Sequence, residues 1–251
     1  MKRLLTVICL GLCIFAISGC SKVDEIKDTI DPGSKLSVDF GWTVLEENPN
    51  ESPVGIVVTN NSDKVATNVT FQVTPYDADG NEIEYSEGDP GYESGRDVKM
   101  AHTGWIGRIM PGEKAGTYDA GFSDLKNVPD HIEVTIREAK WVDPSEFAEG
   151  TVTVEDYSYA PGDEVAYVTL KNTTEYDFDI NASDGSPWMN LNFIGYGADG
   201  KIVGADFGTV QYLAAGAEEK MEILLDGGLA GAGAETVEIY PDVFIPEPEE
   251  E

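Results

Sequence analysis

The chain is short of cysteine, histidine and positive charge. Its three cysteines are Cys9, Cys13 and Cys20, so everything after position 20 lacks a thiol and must fold on apolar cores without disulfides. The two histidines, His102 and His131, are far apart, and neither H-E-x-x-H nor G-x-S-x-G occurs, which leaves no motif for metal-assisted or serine hydrolysis. Sixteen Lys and Arg stand against 47 Asp and Glu, for a net charge of -31. Such a field repels nucleic acid and anionic lipid and favours cations or a basic partner. A disordered acidic chain does not fit, because the acids are interleaved with regular apolar patterns and the four tryptophans are spread along the length. Long apolar runs are missing too: the longest covers residues 4–17, short of the roughly 20 residues a membrane-crossing helix needs.

That run has the length of a signal-peptide core. Lys2 and Arg3 precede it, and Ile17-Ser18-Gly19-Cys20 closes it. A basic end, a short apolar segment, two small residues and one cysteine resemble a bacterial lipoprotein signal with its lipobox. The resemblance implies cleavage after residue 19, diacylglycerol on Cys20, and a membrane-anchored protein of the cell envelope facing away from the cytoplasm. Several acyl chains hold such an anchor stably, whereas one is marginal. Residues 20–35 read as a tether ending in Asp31-Pro32-Gly33.

From Leu36 onward the periodicity is two. Leu36, Val38, Phe40 and Trp42 alternate with Ser37, Asp39 and Gly41. Ile132, Val134 and Ile136 alternate with Glu133, Thr135 and Arg137. Short alternating runs between turn clusters predict an all-β sandwich fold. The pattern also repeats in order. Residues 57–61 match Tyr167 through Thr173, Tyr76-Asp77-Ala78-Asp79-Gly80 matches Tyr196-Gly197-Ala198-Asp199-Gly200, Pro111-Gly112 matches Ala215-Gly216, and Ile132-Glu133-Val134 matches Val237-Glu238-Ile239. A diverged tandem duplication follows, with modules at 36–144 and 145–246 and an acidic tail at 247–251.

A strand ending in Asn and a small polar residue, then one closing on Tyr-x-Ala-Asp-Gly, then a Pro-Gly-Glu-like turn, resembles the small Ig-like modules of bacterial lipoproteins, the FxLYD type among them. Phe193 and Tyr196 keep that motif's spacing, with glycine at 195 and 197 for its Leu and Asp. Phe71 to Asp77 keeps Tyr-Asp but sets Phe two residues early. The resemblance implies two tandem Ig-like sandwiches and an envelope location, and no catalytic residues.

Two motif matches dissolve on inspection. Residues 195–200 spell G-x-G-x-x-G, but Lys201-Ile202-Val203 continues as a strand, where a dinucleotide site needs a helix N-terminus. Asp77, Asp79 and Asn81 have calcium-loop spacing, yet the loop formula wants glycine sixth and Glu twelfth, and here Gly80 is fourth and Gly88 twelfth. The matching turn carries Gly197 in place of Asp77, which favours turn chemistry. Asp177, Asp179 and Asn181 share the spacing but alternate with Tyr176, Phe178 and Ile180, as on the wet face of a half-buried strand.

The candidate binding surface is the Gly-rich insertion at 87–104, carrying Tyr92, Arg96, Lys99, Met100 and His102, with Trp105 just after it. Aromatic and Arg side chains dominate binding hot spots, and loops on a rigid sandwich are where binding is placed. The counterpart in the second module is 174–188, ending on Trp188; burial in the core is the expected fate of Trp188, as it is of Trp42 and Trp141, with binding the alternative. The sequence reads as a lipid-anchored, non-catalytic protein presenting binding surfaces to a protein or envelope component. A Ca²⁺ or small-solute binder is the alternative and a carboxylate hydrolase the third reading. Replacing Cys20 with serine is expected to abolish acyl-chain labelling and release the protein from the membrane fraction, measured by metabolic lipid labelling and fractionation.

Overall fold

The computed structural model describes residues 35–45, 52–83, 102–119, 128–146, 150–182 and 186–245. The leader, Cys20 and most of the tether lie outside them. The described chain is all-β. Fourteen strands run in order: β1 (Leu36–Gly41), β2 (Val54–Asn60), β3 (Val65–Tyr76), β4 (His102–Ile109), β5 (Lys114–Asp119), β6 (His131–Val142), β7 (Val152–Ser158), β8 (Val165–Asn172), β9 (Phe178–Asp179), β10 (Trp188–Tyr196), β11 (Ile202–Thr209), β12 (Tyr212–Leu213), β13 (Glu218–Leu224) and β14 (Thr236–Phe244). The chain passes from β6 to β7 through a 3-10 turn at Pro144–Glu146.

The strands form antiparallel sheets with one repeated order. In the first half these are β1-β2-β5 and β4-β3-β6. In the second half they are β7-β8-β13 and β11-β10-β14, with β9 and β12 as a two-stranded addition. Replacing each first-half strand by its second-half counterpart converts one set into the other, so the repeat read in sequence is also a repeat of topology. The run Tyr176 to Ile180 yields only the two-residue β9: Phe178 is buried but Ile180 is exposed.

A buried asparagine holds the same corner in each half. Asn60 Nδ2 donates to Lys64 O at 2.7 Å and Ile109 O at 2.9 Å, while its Oδ1 accepts from Ser62 N at 3.0 Å and Ser62 Oγ at 2.7 Å. Asn172 Nδ2 donates to Tyr176 O and Ala214 O, and its Oδ1 accepts from Thr174 N and Oγ1. Each side chain ties the end of one sheet to the loop entering the other. Both are fully buried, and a buried amide with all its bonds made contributes where an unmatched one would cost about 1–3 kcal/mol. The Asp-Gly hairpin recurs as well, with Gly80 at φ 80° and Gly200 at φ 76°, a conformation glycine adopts without strain. So does a cross-strand bond from tyrosine to glutamate, Tyr76 to Glu133 and Tyr196 to Glu238.

Three apolar layers separate four stacked sheets. The first lies between β4-β3-β6 and β1-β2-β5 and includes Ile56, Val58, Val69, Phe71 and Trp141. The last lies between β11-β10-β14 and β7-β8-β13 and includes Leu170, Met189, Leu191, Phe193 and Ile223. The middle one joins the halves through Val57, Ile194, Ile202 and Ala205, with Tyr118, Tyr196 and Tyr240 at its border. Strand β2 is therefore buried on both faces, which is why it reads as a continuous apolar run.

Glycine makes the middle layer thin. A Cβ at Gly55 would stand 2.7 Å from Gly204 O, and one at Gly116 would stand 2.3 Å from the Tyr240 ring. Asn192 Nδ2 reaches across to Gly116 O at 3.1 Å. Beyond the sheets, Thr43 Oγ1 donates to Ala232 O at 3.1 Å, and Leu45 packs into the second-half core. The fully buried Asp206 accepts from Asp226 N at 3.1 Å, which pins the glycine-rich segment whose Gly228 lies against Pro53.

The docking is head-to-tail: a β1-β2-β5 face of one half meets a β11-β10-β14 face of the other. Such an interface propagates unless its free ends are altered. They are altered here. Counting back from the paired asparagines, Gly55 and Val57 become Tyr167 and Thr169. Aligned on the backbone bonds from Asn60 N to Glu113 O and from Asn172 N to Ala217 O, Gly116 and Tyr118 become Lys220 and Glu222. On the opposite end, Ile194 and Tyr240 correspond to Thr74 and Thr135. Lys220 Nζ sits 5.9 Å over the exposed Tyr167 ring, so the free face is wide and polar where the docked one is flat.

Gly116→Leu is expected to drive the halves apart and lower the melting temperature by about 5–10 °C, from an overpacking cost of about 3 kcal/mol. Lys220→Leu, at the equivalent free position, is expected to shift it by less than about 2 °C. Thermal melts of both variants check the pair.

Candidate functional site

The tryptophans that flank the two insertions come together. Trp105 sits in β4, just after the segment at 84–101, and Trp188 opens β10, just after 183–187. Both converge on Phe244 near the end of β14. The Trp105 ring lies 5.8 Å from it at 59°, and the Trp188 ring lies 5.3 Å from it at 24°. Offset and tilted pairs at these separations add about 0.5–1.5 kcal/mol each beyond area burial. Each tryptophan is half-buried, so Trp188 is not a core residue. It stands on the sheet face turned toward the first half. Trp141 is buried in the first core and Trp42 packs against that core.

The backbone makes the convergence possible. On β10, Met189, Leu191 and Phe193 enter the core, so Trp188, Asn190 and Asn192 face the first half. Phe244 and Asp242 on β14 pair with Trp188 and Asn190 and share that face. Strand β4 lies along this edge because Gly107 has no side chain: a Cβ there would be 2.8 Å from Val243 O. The backbone N–H of Gly107 donates to the Asp242 carboxylate. The seam thus has two tryptophans and a phenylalanine at one end and a half-buried carboxylate beside them.

The other sequence candidates fare differently. Tyr92, Arg96 and Lys99 lie outside the described residues. His102 is the first residue of β4, paired with Val73. At the proposed calcium spacing, Asp77 Oδ1 accepts from Asp79 N at 2.9 Å and Asn81 N at 2.8 Å, and Asn81 Nδ2 also donates to it. These donors, Asn81 first, hold the Asp77 carboxyl below the usual range. The carboxylate is engaged in its own turn, and Gly197 closes the matching hairpin with its backbone alone. Asp177 accepts from Ala215 N and Asp179 from Asn181 N. Among the described residues, no three acid, imidazole or thiol side chains gather as a metal site.

Phe244 and Asp242 escaped the sequence reading. Pro241 interrupts the alternation that begins at Val237, and a proline reads as the end of a strand. Strand β14 is an edge, where a missing N–H is tolerated. The continuing alternation of Val237, Ile239 and Val243 was the available signal.

Burial pushes the Asp242 carboxyl up to about 6 from 3.8, against the stabilising bond from Gly107. A folded-state value above the unfolded one means the native state holds the extra proton between about pH 4 and 6. Stability from this group is therefore greatest below pH 4 and is lost as pH rises through 6. Asp242→Asn keeps the acceptor for Gly107 and removes the buried charge. It is expected to stabilise the protein by about 1–2 kcal/mol at pH 7 and to do nothing at pH 4, as read by denaturant melts of both proteins at each pH. No protein-family model matches the chain, and no curated protein matches it in sequence.

Proposed function

We propose that the protein is a lipid-anchored, non-catalytic component of a bacterial cell envelope that offers a binding surface to another protein or an envelope component. The observation that carries this reading is the convergence of Trp105 and Trp188 on Phe244. Each tryptophan follows an insertion, and the two insertions belong to different repeats. A surface assembled this way needs both halves docked, so it is one site and not two copies of a loop. Half-buried aromatic anchors on a rigid frame lose little conformational freedom on binding, which is what hot spots require. Support for the anchor comes from residues 1–20, with Cys20 as the lipidated residue. The Ig-like character of the halves rests on the turn chemistry shared with FxLYD-type modules.

The test is crosslinking capture from native membranes with the full lipoprotein. A partner recovered by the native protein is expected to be lost at least tenfold by Trp105→Ala combined with Trp188→Ala, and kept by Tyr167→Ala on the far face. A partner kept by the double variant moves the binding surface elsewhere. Its loss in all variants marks non-specific adhesion.

A further inference from the structure

On this acidic chain, one sheet is cationic. Among the three-stranded sheets, β4-β3-β6 is the one whose strands hold more Lys and Arg than Asp and Glu: Arg108, Arg137 and Lys140 against Glu133 and Glu138. The strand registers turn these cations outward. Arg108 pairs with Thr67, and Thr67 pairs on its other side with Lys140, so the three form one row across the sheet. Their neighbours Ala66, Ile109, Ala139 and Trp141 fill the first-half core, which sends the row to the opposite face. Arg137 stands at a break in register between Ile136 and Glu138, and its guanidinium donates to the outward-facing Gln72. Trp105, Thr70 and Glu138 make the next row. Glu133 is engaged by Tyr76 OH at the far end of the sheet.

Arg108 is half-buried, and no described residue hydrogen-bonds its guanidinium. Burial lowers its pKa, and Glu113 opposes that from a distance. A partly desolvated cation without an acceptor is costly, so this position calls for a carboxylate. Strand β14 brings one near. It passes β5 at Tyr240, beside Gly116, and β4 at Val243, beside Gly107. Its last residue, Phe244, meets the ring of Trp105 on the cationic face. The chain then continues as Ile245-Pro246-Glu247-Pro248-Glu249-Glu250-Glu251, of which 246–251 lie outside the described residues. Four residues of extended chain from Val243 to Glu247 cover roughly 13 Å, and the row from Arg108 to Lys140 is roughly 10 Å wide. The segment is long enough to cross it.

We infer that the acidic segment 246–251 docks on the outer face of β4-β3-β6, with its glutamates on Arg108, Arg137 and Lys140 and its prolines against Trp105. The charge of the whole chain selects this occupant over a separate acidic partner. A net charge of -31 repels a free acidic ligand at long range, whereas a segment tethered a few residues away is present at an effective concentration on the order of mM. Pro246 and Pro248 favour an extended backbone, which lowers the entropy lost on docking. The docked segment covers Trp105, so a partner of the tryptophan seam has to displace it. The docking itself does not depend on such a partner.

The test is zero-length carbodiimide coupling of the full-length protein in neutral detergent, with the monomer band digested and its links mapped by mass spectrometry. In the native protein Lys140 is expected to couple to a glutamate of 247–251. Lys171 lies 3.5 Å from Glu218 on the far sheet face, and the yield of that link is the internal standard for a folded protein. R108K keeps the charge and is expected to add a link from position 108 to the same segment. R108Q combined with R137Q is expected to lower the Lys140 yield at least fivefold while the Lys171–Glu218 yield stays unchanged. The inference is overturned by no link from 247–251 to Lys140, by links to Lys171 or Lys220 at comparable yield, by links confined to a dimer band, or by an unchanged Lys140 yield in R108Q with R137Q.

Discussion

The architecture depends on how closely two sheets can approach across the middle layer. Gly55 and Gly116 leave no room for a Cβ against Gly204 and Tyr240. Their flatness lets Val57, Ile194, Ile202 and Ala205 close a small apolar core between the halves. Everything of functional interest inherits its geometry from that contact. With the halves docked, β4 is carried against β14 and Trp105 reaches Phe244. The same docking covers the outer face of β10.

The repeated strand order explains what the halves share, and the positions outside it are where they differ. The buried asparagines, the Asp-Gly hairpins and the cross-strand tyrosine–glutamate bonds recur because each closes a corner of the same strand order. The two asparagines satisfy backbone groups that would otherwise be buried without partners. Positions facing outward were free to change. Positions 55, 57, 116 and 118, which face the middle layer, correspond to Tyr167, Thr169, Lys220 and Glu222 on the free face of the second half. One added residue, Glu155, puts a bulge into β7 that its counterpart β1 does not have between Leu36 and Gly41.

Electrostatics run against compactness here. With a net charge of -31, the folded chain repels itself, and no disulfide lies within the described strands to oppose that. Backbone donors hold the fully buried Asp206, through the amides of residues 207 and 226, and the half-buried Asp242, through that of Gly107. Burial raises the carboxyls of both, so each contributes more to stability at mildly acidic pH than at neutral pH. The exposed acids are left to act on the surroundings, where they favour basic partners.

The sequence alone determined the strand class, the repeat and most of the turns. Alternation such as Leu36, Val38, Phe40 is a local, period-two signal, and glycine and asparagine mark turns through their own backbone preferences. It also flagged Trp105 and Trp188, because aromatic residues beside Gly-rich insertions are visible without coordinates. It did not join them, and it favoured the core for Trp188, which the structure leaves half-buried. A strand buried on both faces gives no such alternation, so Phe193, which enters the second-half core, and Ile194, which enters the middle layer, could not be sorted by pattern. Tertiary structure decided which faces dock, since that depends on side-chain size at positions far apart in the chain, such as Gly116 and Tyr240. It decided the role of Phe244 as well, and it placed the bulge at Glu155. A bulge is a mismatch of register between two strands, and register is a property of the pair.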